Sequence, residues 1–317
     1  MAKGKSMDML HGPLLGKLML LAVPIVLSSI LQQLFNTADI AVAGKFISSG
    51  AMAAVGSNAP VISLFISLVV GLSIGANVLV AAKIGQKKYD AVGTSVQTSM
   101  SIALVVGVAM VFLGLLIARP ILELMAAPAD IIDMAELYLQ IYFLGMPFIM
   151  IYNFGSAVLR ADGDSRRPLY CLVVSSLSNL VMDLLFSAVL PWGIAGIALA
   201  TTIANGISAG LILYYLVKEK GYLHLSLRDF QLERRSIRQI VSIGGPAGIQ
   251  GVVFSLSNVV IQAAINSFGS DAVAGVSAAL KFEFFTYYIV SGFAQAAVKF
   301  TSQIYAVRNL ARCRVIF

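Results

Sequence analysis

The stretch AVPIVLSSILQQLFNTADIAVAG, residues 22–44, decides how this chain folds. It belongs to an apolar run from Leu14 to Phe46 that carries a proline, Pro24, near one end and a carboxylate, Asp39, near the other. Such a run is long enough to cross a bilayer, which takes about 20 apolar residues. An ionisable group inside a membrane span is costly in hydrocarbon and is a functional-site hypothesis by default. The rest of the chain must therefore supply partners for Asp39.

The composition of the whole chain agrees with a membrane protein. Of its 317 residues 59% are hydrophobic and 12% are charged, and the mean hydropathy is +0.89. A soluble domain would carry about 25% charged residues. We therefore predict an all-α polytopic membrane protein, in which the net charge of +7 reports topology rather than nucleic-acid binding.

Hydropathy predicts eight spans, and the basic residues orient them. The predicted spans cover residues 14–46, 53–82, 92–117, 135–159, 169–190, 193–217, 240–267 and 274–304. Of the 22 lysines and arginines, 18 lie in the termini and in alternate loops, on one side of the predicted bundle. The positive-inside rule then places both termini in the cytoplasm and the chain in a plasma membrane, the inner membrane of a bacterium.

The chain also shows a weak internal repeat. Pro24 aligns with Pro246 and Asn36 with Asn258, both at an offset of 222 residues. Parallel repeats of this kind are a transporter design, with the substrate site at the repeat interface. Two full copies would need about 440 residues, so we expect four spans of the second repeat to be missing.

The longest polar segment supplies the predicted boundary between the repeats. We predict a six-helix lobe at 1–220, a cytoplasmic inter-lobe loop at 221–239 and a partial second lobe at 240–317.

Three polar residues in different spans share one depth. Asp39 and Asp183 lie seven residues from the outer ends of their predicted spans, and Thr202 lies nine. At 1.5 Å per residue this is about 10–14 Å below the surface. Asn179, one helical turn before Asp183, shares its face. These oxygen ligands suit Na⁺ or a proton, so the four residues form a candidate cation-coupling site; the alternative is that they only join helices by hydrogen bonds.

The remaining polar residues support less specific predictions. Pro24 is interpreted as a hinge, with a static kink as the alternative. Four residues are candidates for lining a substrate cavity: Asn36, Asn153, Lys281 and Glu283. Helix packing explains the two amides equally well, and a buried ion pair explains the two charges. Lys299 is expected to extend its ammonium group to the lipid headgroups.

Four motifs together resemble one transporter family. They are LLAVPIVLSSILQQLFNTADIAVAGK at 20–45, LRADGDSRRP at 159–168, the N-x-x-x-D of Asn179 and Asp183, and AALKFEFF at 278–285. In this order they resemble multidrug and toxic compound extrusion (MATE) transporters. The resemblance implies twelve helices in two lobes around a V-shaped cavity, of which this chain would lack the last four. It also implies export of cationic and amphipathic compounds in exchange for Na⁺ or H⁺.

The resemblance assigns roles to individual positions. It implies that Asp39, Asn179, Asp183 and Thr202 form the cation site of the first lobe, and that the first helix bends at Pro24. Glu283 resembles an acidic residue of the second lobe that couples cations in some branches. Beyond the possible coupling ion, the sequence predicts no cofactor and no resident metal, and we expect a monomer whose partners are small organic substrates and the bilayer.

Other classes remain as alternatives. A lipid-linked glycan flippase of similar fold would need more cations in its cavity, where the sequence offers Lys281. An inactive truncated remnant is also open. An intramembrane aspartyl protease requires Gly-x-Gly-Asp, whereas residues 180–182 before Asp183 are Leu-Val-Met. The chain has no Walker loop, and its two histidines lie far apart in sequence, so we predict that it is not an enzyme.

Overall fold

The protein, described by a computed structural model, is a bundle of long helices. The structure describes residues 14–125, 129–190, 192–229, 231–266 and 270–306. In chain order its helices are α1 (Leu14–Phe46), α2 (Ser49–Gly85), α3 (Tyr89–Leu124), α4 (Ile132–Leu144), α5 (Met146–Asp162), α6 (Arg166–Leu184), α7 (Gly193–Lys218), α8 (Arg234–Asn266) and α9 (Ser270–Ala306). A π-helical turn, Leu185–Val189, follows α6. The described ranges contain no strand, and the predicted all-α class is confirmed.

The helices are long and apolar enough for an integral membrane protein. Within the described residues, six helices could each cross a bilayer, and α4 with α5 makes a seventh if that bent pair is one span. We call the end of the bundle where α2, α5 and α7 finish the basic end, since its connections carry most of the lysines and arginines. We call the other end of the bundle the opposite end.

The fourth predicted span is bent rather than straight. Helices α4 and α5 meet at Gly145 with an angle of 46°. Pro147 lies in the first turn of α5, where its missing N–H removes a hydrogen bond that would have continued α4. Gly107 of α3 lets the bend approach closely, because a Cβ there would lie 2.6 Å from the Cα of Pro147. The bend therefore has a local sequence cause that the hydropathy pattern does not report.

The last two helices repeat the first two in length. Helices α1 and α8 both have 33 residues, and α2 and α9 both have 37. Their contacts are reciprocal, because α1 packs on α9 while α2 packs on α8. Two units related by a two-fold axis make contacts of this reciprocal kind. Helix α8 begins at Arg234, inside the predicted loop 221–239, and the division into two lobes stays a prediction.

Glycines let α2 and α8 touch backbone to backbone. A Cβ on Gly71 would lie 2.2 Å from the Cα of Gly248, and one on Gly75 would lie 2.3 Å from the carbonyl oxygen of Ile240. Helix crossings in membranes rely on such small residues, since lipid gives no hydrophobic force between helices. The α2–α8 crossing therefore tolerates no side chain at Gly71 or Gly75.

We expect the substitution Gly71→Ala to lower the free energy of unfolding by about 1–3 kcal/mol, because the added methyl group overpacks the crossing. Thermal unfolding in detergent micelles measures this change. The matched control is Gly56→Ala in the same helix, where a Cβ would meet nothing within 4 Å. The control should be neutral or up to about 1 kcal/mol more stable, since alanine favours helix over glycine. Equal effects of the two substitutions would contradict the close crossing.

Candidate cation-binding site

Two carboxyl groups face each other between α1 and α6, toward the opposite end of the bundle. Asp183 is fully buried and Asp39 is 5% exposed. Their side chains lie close enough to interact directly. The structure therefore brings together the two carboxylates that the sequence placed at one depth.

Helices α7 and α4 contribute hydroxyl groups to this pair. The Thr201 hydroxyl lies 3.3 Å from Oδ2 of Asp39 as a donor, and 3.0 Å from the carbonyl oxygen of Ile197 in its own helix. The buried Tyr138 side chain reaches the Thr201 hydroxyl and lies within electrostatic reach of both aspartates. Sequence reasoning missed Thr201 and Tyr138, which complete a four-helix enclosure around the carboxylates.

Several polar atoms of the site have no protein partner in the described part of the chain. These atoms are Oδ1 of Asp39, both carboxylate oxygens of Asp183 and Nδ2 of Asn179. Ionised carboxylates only accept hydrogen bonds, so two facing carboxylates satisfy each other only through a shared proton or a cation. Burying both as free anions would also set like charges against each other in an apolar medium. The arrangement is thus chemically suited to hold one positive charge.

The ligands available to that charge are all hard oxygens. They are the two carboxylates and the Thr201 hydroxyl, and Asn179, one turn before Asp183 on the same face, adds a buried amide. No group of three or more His, Cys, Asp or Glu side chains in the described residues is positioned to hold a metal ion. Oxygen ligands with two carboxylates match Na⁺ or a proton better than a transition metal.

The backbone is irregular directly after Asp183. Helix α6 passes into the π-helical turn 185–189, and the Ser187 hydroxyl donates to the carbonyl oxygen of Asp183 at 2.5 Å. Phe186 of this turn stacks on Trp192, with ring centroids 4.8 Å apart. Such π-helical turns are frequent at functional sites. Trp192 is the one tryptophan of the chain, so its fluorescence is a native reporter of this segment.

Thr202 has a different neighbour from Thr201. Its hydroxyl donates to the carbonyl oxygen of Ile141 at 3.0 Å, beside Gly145, where α4 and α5 meet. One residue turns a helix by about 100°, so adjacent threonines face different neighbours. The structure places Thr201 against Asp39 and Thr202 against the bend, and the coupling role of Thr202 stays a prediction.

The other predicted residues lie apart from the carboxylate pair. Pro24 is buried in α1, and its carbonyl oxygen accepts a hydrogen bond from Ser28 at 2.8 Å. The Asn153 amide donates to Ile149 in its own helix at 2.8 Å, and Glu283 of α9 is exposed. The side chains of Asn36 and Lys281 lie outside the described residues.

Comparison with known proteins gives one family. The MatE family profile matches residues 24–185 and 246–317. The two matched stretches begin at Pro24 and Pro246, the prolines that the internal repeat aligns.

Two curated relatives come from Bacillus subtilis. The chain is 31% identical over 276 residues to the probable multidrug resistance protein YpnP, covering 86% of this chain and 61% of that protein. It is 29% identical over 262 residues to the probable multidrug resistance protein YoeA, covering 80% of this chain and 57% of that protein. The chain thus spans about six-tenths of the length of the curated relatives it matches.

Solved structures agree with the family match. A crystal structure of MATE in the bent conformation is 26% identical, with a TM-score of 0.91 that covers 99% of this chain and 70% of that one. A structure of MATE in the straight conformation is 25% identical, with a TM-score of 0.90 over 99% of this chain and 71% of that one. The fold of this chain is therefore equally close to both conformations of that protein.

The facing carboxylates make a prediction about stability. We expect Asp183→Asn to raise the free energy of unfolding by about 1–4 kcal/mol in sodium-free buffer at alkaline pH, where the pair holds no shared proton, because one of two buried like charges is removed. Thermal unfolding in micelles measures this change. Asp90→Asn is the control, since Asp90 is exposed at the start of α3 and should leave stability unchanged. A loss of stability in Asp183→Asn would show that the pair is not repulsive.

Proposed function

This chain belongs to the MatE family of transporters, and from that premise we propose that it serves in secondary active multidrug efflux. The observation that carries the proposal is the pair of buried, facing carboxylates with unpartnered oxygens. In the proposed reaction Na⁺ or H⁺ enters along its gradient while a cationic or amphipathic compound leaves. The family consists of transporters rather than enzymes, and curated relatives of this chain are named as multidrug resistance proteins.

The proposed coupling runs through α1. A cation between Asp39 and Asp183 cancels one of the two negative charges and relieves the repulsion between α1 and α6. Helix α1 also carries Pro24, where a missing backbone hydrogen bond lowers the energy needed to bend the helix. Cation binding can shift the bend only if the bent and straight forms bind the cation unequally. The two conformations known for a similar MATE protein make such a pair of states reasonable.

In the proposed orientation the basic end faces the cytoplasm and the chain lies in the plasma membrane, the inner membrane of a bacterium. The described residues place two basic side chains at the opposite end, the exposed Lys45 in the last turn of α1 and Arg119 in α3. Arg119 supports this orientation because carboxylates neutralise it. Arg119 pairs with Glu123 at 3.1 Å, with Asp133 at 3.1 Å and with Glu136 at 2.9 Å. The opposite end therefore contributes little net positive charge, as the positive-inside rule expects of an outer surface.

The first test is efflux in cells. In a bacterial strain without its own efflux pumps, we expect the chain to reduce accumulation of a fluorescent organic cation such as ethidium. Asp39→Asn and Asp183→Asn should each return accumulation to the level of the empty vector, because one carboxylate and one amide no longer form the two-carboxylate site for the driving ion. Asp90→Asn should transport like the parent chain. Retained efflux in both site variants would disprove the proposed site.

The second test distinguishes the contributions of the two adjacent threonines to sodium binding. We expect Thr201→Val to weaken sodium binding about tenfold, because the variant loses a hydroxyl that contacts a charged ligand. Thr202→Val should change binding by less than about twofold. Sodium titration at constant ionic strength, followed by Trp192 fluorescence in micelles, measures both. The reverse order would place Thr202 in the site instead, and a response to pH with none to sodium would identify the proton as the driving ion.

A further inference from the structure

Three polar side chains line one face of α9 at the basic end of the bundle. Gln295, Lys299 and Gln303 are spaced by four residues, so they lie above one another along the helix. Arg160, near the end of α5, donates to Oε1 of Gln295 at 3.1 Å. The Gln303 amide donates to the carbonyl oxygen of Ala161 at 2.9 Å. We call Gln295, Lys299 and Gln303 the α9 ladder.

The middle residue of the ladder is buried without a direct partner. Lys299 is 1% exposed, and its Nζ has no hydrogen-bond partner in the described part of the chain. The prediction that Lys299 reaches the lipid headgroups is therefore wrong. The physical reason is that α2 and α5 cover this face of α9. A desolvated ammonium group without a hydrogen-bonded partner costs several kcal/mol, by the general scale for buried ions.

The end of α5 supplies negative charge that offsets part of the cost of burying the ammonium group. The carboxylates of Asp162 and Asp164 interact electrostatically with Lys299. Asp162 already accepts a hydrogen bond from the Tyr222 hydroxyl at 2.5 Å, and Asp164 is paired with Arg167. The last carbonyl groups of α5 add the negative end of the helix dipole. This diffuse field offsets part of the cost of burying Lys299, but desolvation remains the larger contribution.

Helix α9 is also fixed to α2 at this level. The Ser302 hydroxyl donates to the carbonyl oxygen of Val78 at 3.0 Å. A Cβ on Gly85 would lie 2.5 Å from the carbonyl oxygen of Gln303, so the two backbones touch. The end of α9 is therefore wedged between α2 and α5.

We propose that the α9 ladder is the closure of the basic end, which must separate from α5 when that end opens. The two glutamines hold the closure through hydrogen bonds, and the buried Lys299 opposes it because its charge regains water on opening. These opposite contributions keep the closed form only moderately favoured, as a carrier that exposes its two ends in turn requires. The proposal rests on the proposed transport function for its biological meaning, while its test does not depend on transport.

Hydrogen–deuterium exchange of the chain in lipid nanodiscs tests whether the glutamines stabilise the closed form and Lys299 destabilises it. We expect Gln303→Met to speed exchange in residues 155–163 and 295–304 about fivefold, from the loss of one hydrogen bond. Lys299→Met should slow exchange in the same segments at least about tenfold, because a buried charge is replaced by an apolar chain of similar length. The control is Val298→Met, an exposed position on another face of α9, which should leave the rates unchanged.

Each result decides for or against the closure. Lys299→Arg keeps the charge and should exchange faster than Lys299→Met. Faster exchange in Lys299→Met, unchanged rates in both variants, or a Lys299→Met protein that fails to fold would each overturn the proposal, because all three contradict a charge that opposes closure. A chain that shows the expected exchange but exports nothing would disprove the proposed function and leave the closure standing.

Discussion

The cost of holding charge inside an apolar bundle governs this structure. Asp39 and Asp183 are buried together, although each alone is expensive away from water. Helices α1, α4, α6 and α7 enclose both carboxylates, so the free-energy cost of burying them is confined to one site. Both irregular backbone segments in this part of the fold adjoin it: the bend at Gly145, which tilts α4 and its Tyr138, and the π-helical turn after Asp183. Irregular backbone inside a membrane is tolerated where protein buries it, and here it surrounds the carboxylates.

The sequence predicted the helices well because their signal is one-dimensional. Long apolar runs between charged loops mark spans without any knowledge of neighbours, and the depth of Asp39 and Asp183 follows from counting residues. Counting residues does not show which neighbouring helix a given side chain faces. Choosing Thr201 over Thr202 requires knowing which face of α7 meets α1, and that depends on how the whole bundle packs. The same limit applies to Tyr138, whose place depends on a bend at Gly145 that hydropathy does not record.

Lys299 shows a second reason for failure. Near the end of a membrane helix, a lysine normally extends to the headgroups, and the sequence alone supports that expectation. The structure buries Lys299 because α9 lies between α2 and α5, and the contacts that place it there are distant in sequence. Gly85 and Gln303, for example, touch across 218 residues, a relation that only the internal repeat hints at.

The carboxylate pair and the α9 ladder lie at different ends of the bundle, and α1 connects them. Around Pro24, the residues Leu21, Ala22 and Ile25 form one buried apolar cluster with Ala296, Phe300 and Ile304 of α9. These α9 residues alternate along the helix with the members of the ladder. Gly292 adds close contact, because a Cβ there would lie 2.4 Å from a methyl group of Val26.

A change in the bend at Pro24 therefore cannot leave α9 unaffected, since close-packed contacts transmit displacement rather than absorb it. On the proposed function, neutralising Asp39 would move α1, and this movement would displace α9, the helix that carries Lys299. The cation site and the closure would then be two ends of one mechanical connection. The predicted hinge lies within this contact between α1 and α9, so on the proposed function a small change in its angle would be passed to the ladder.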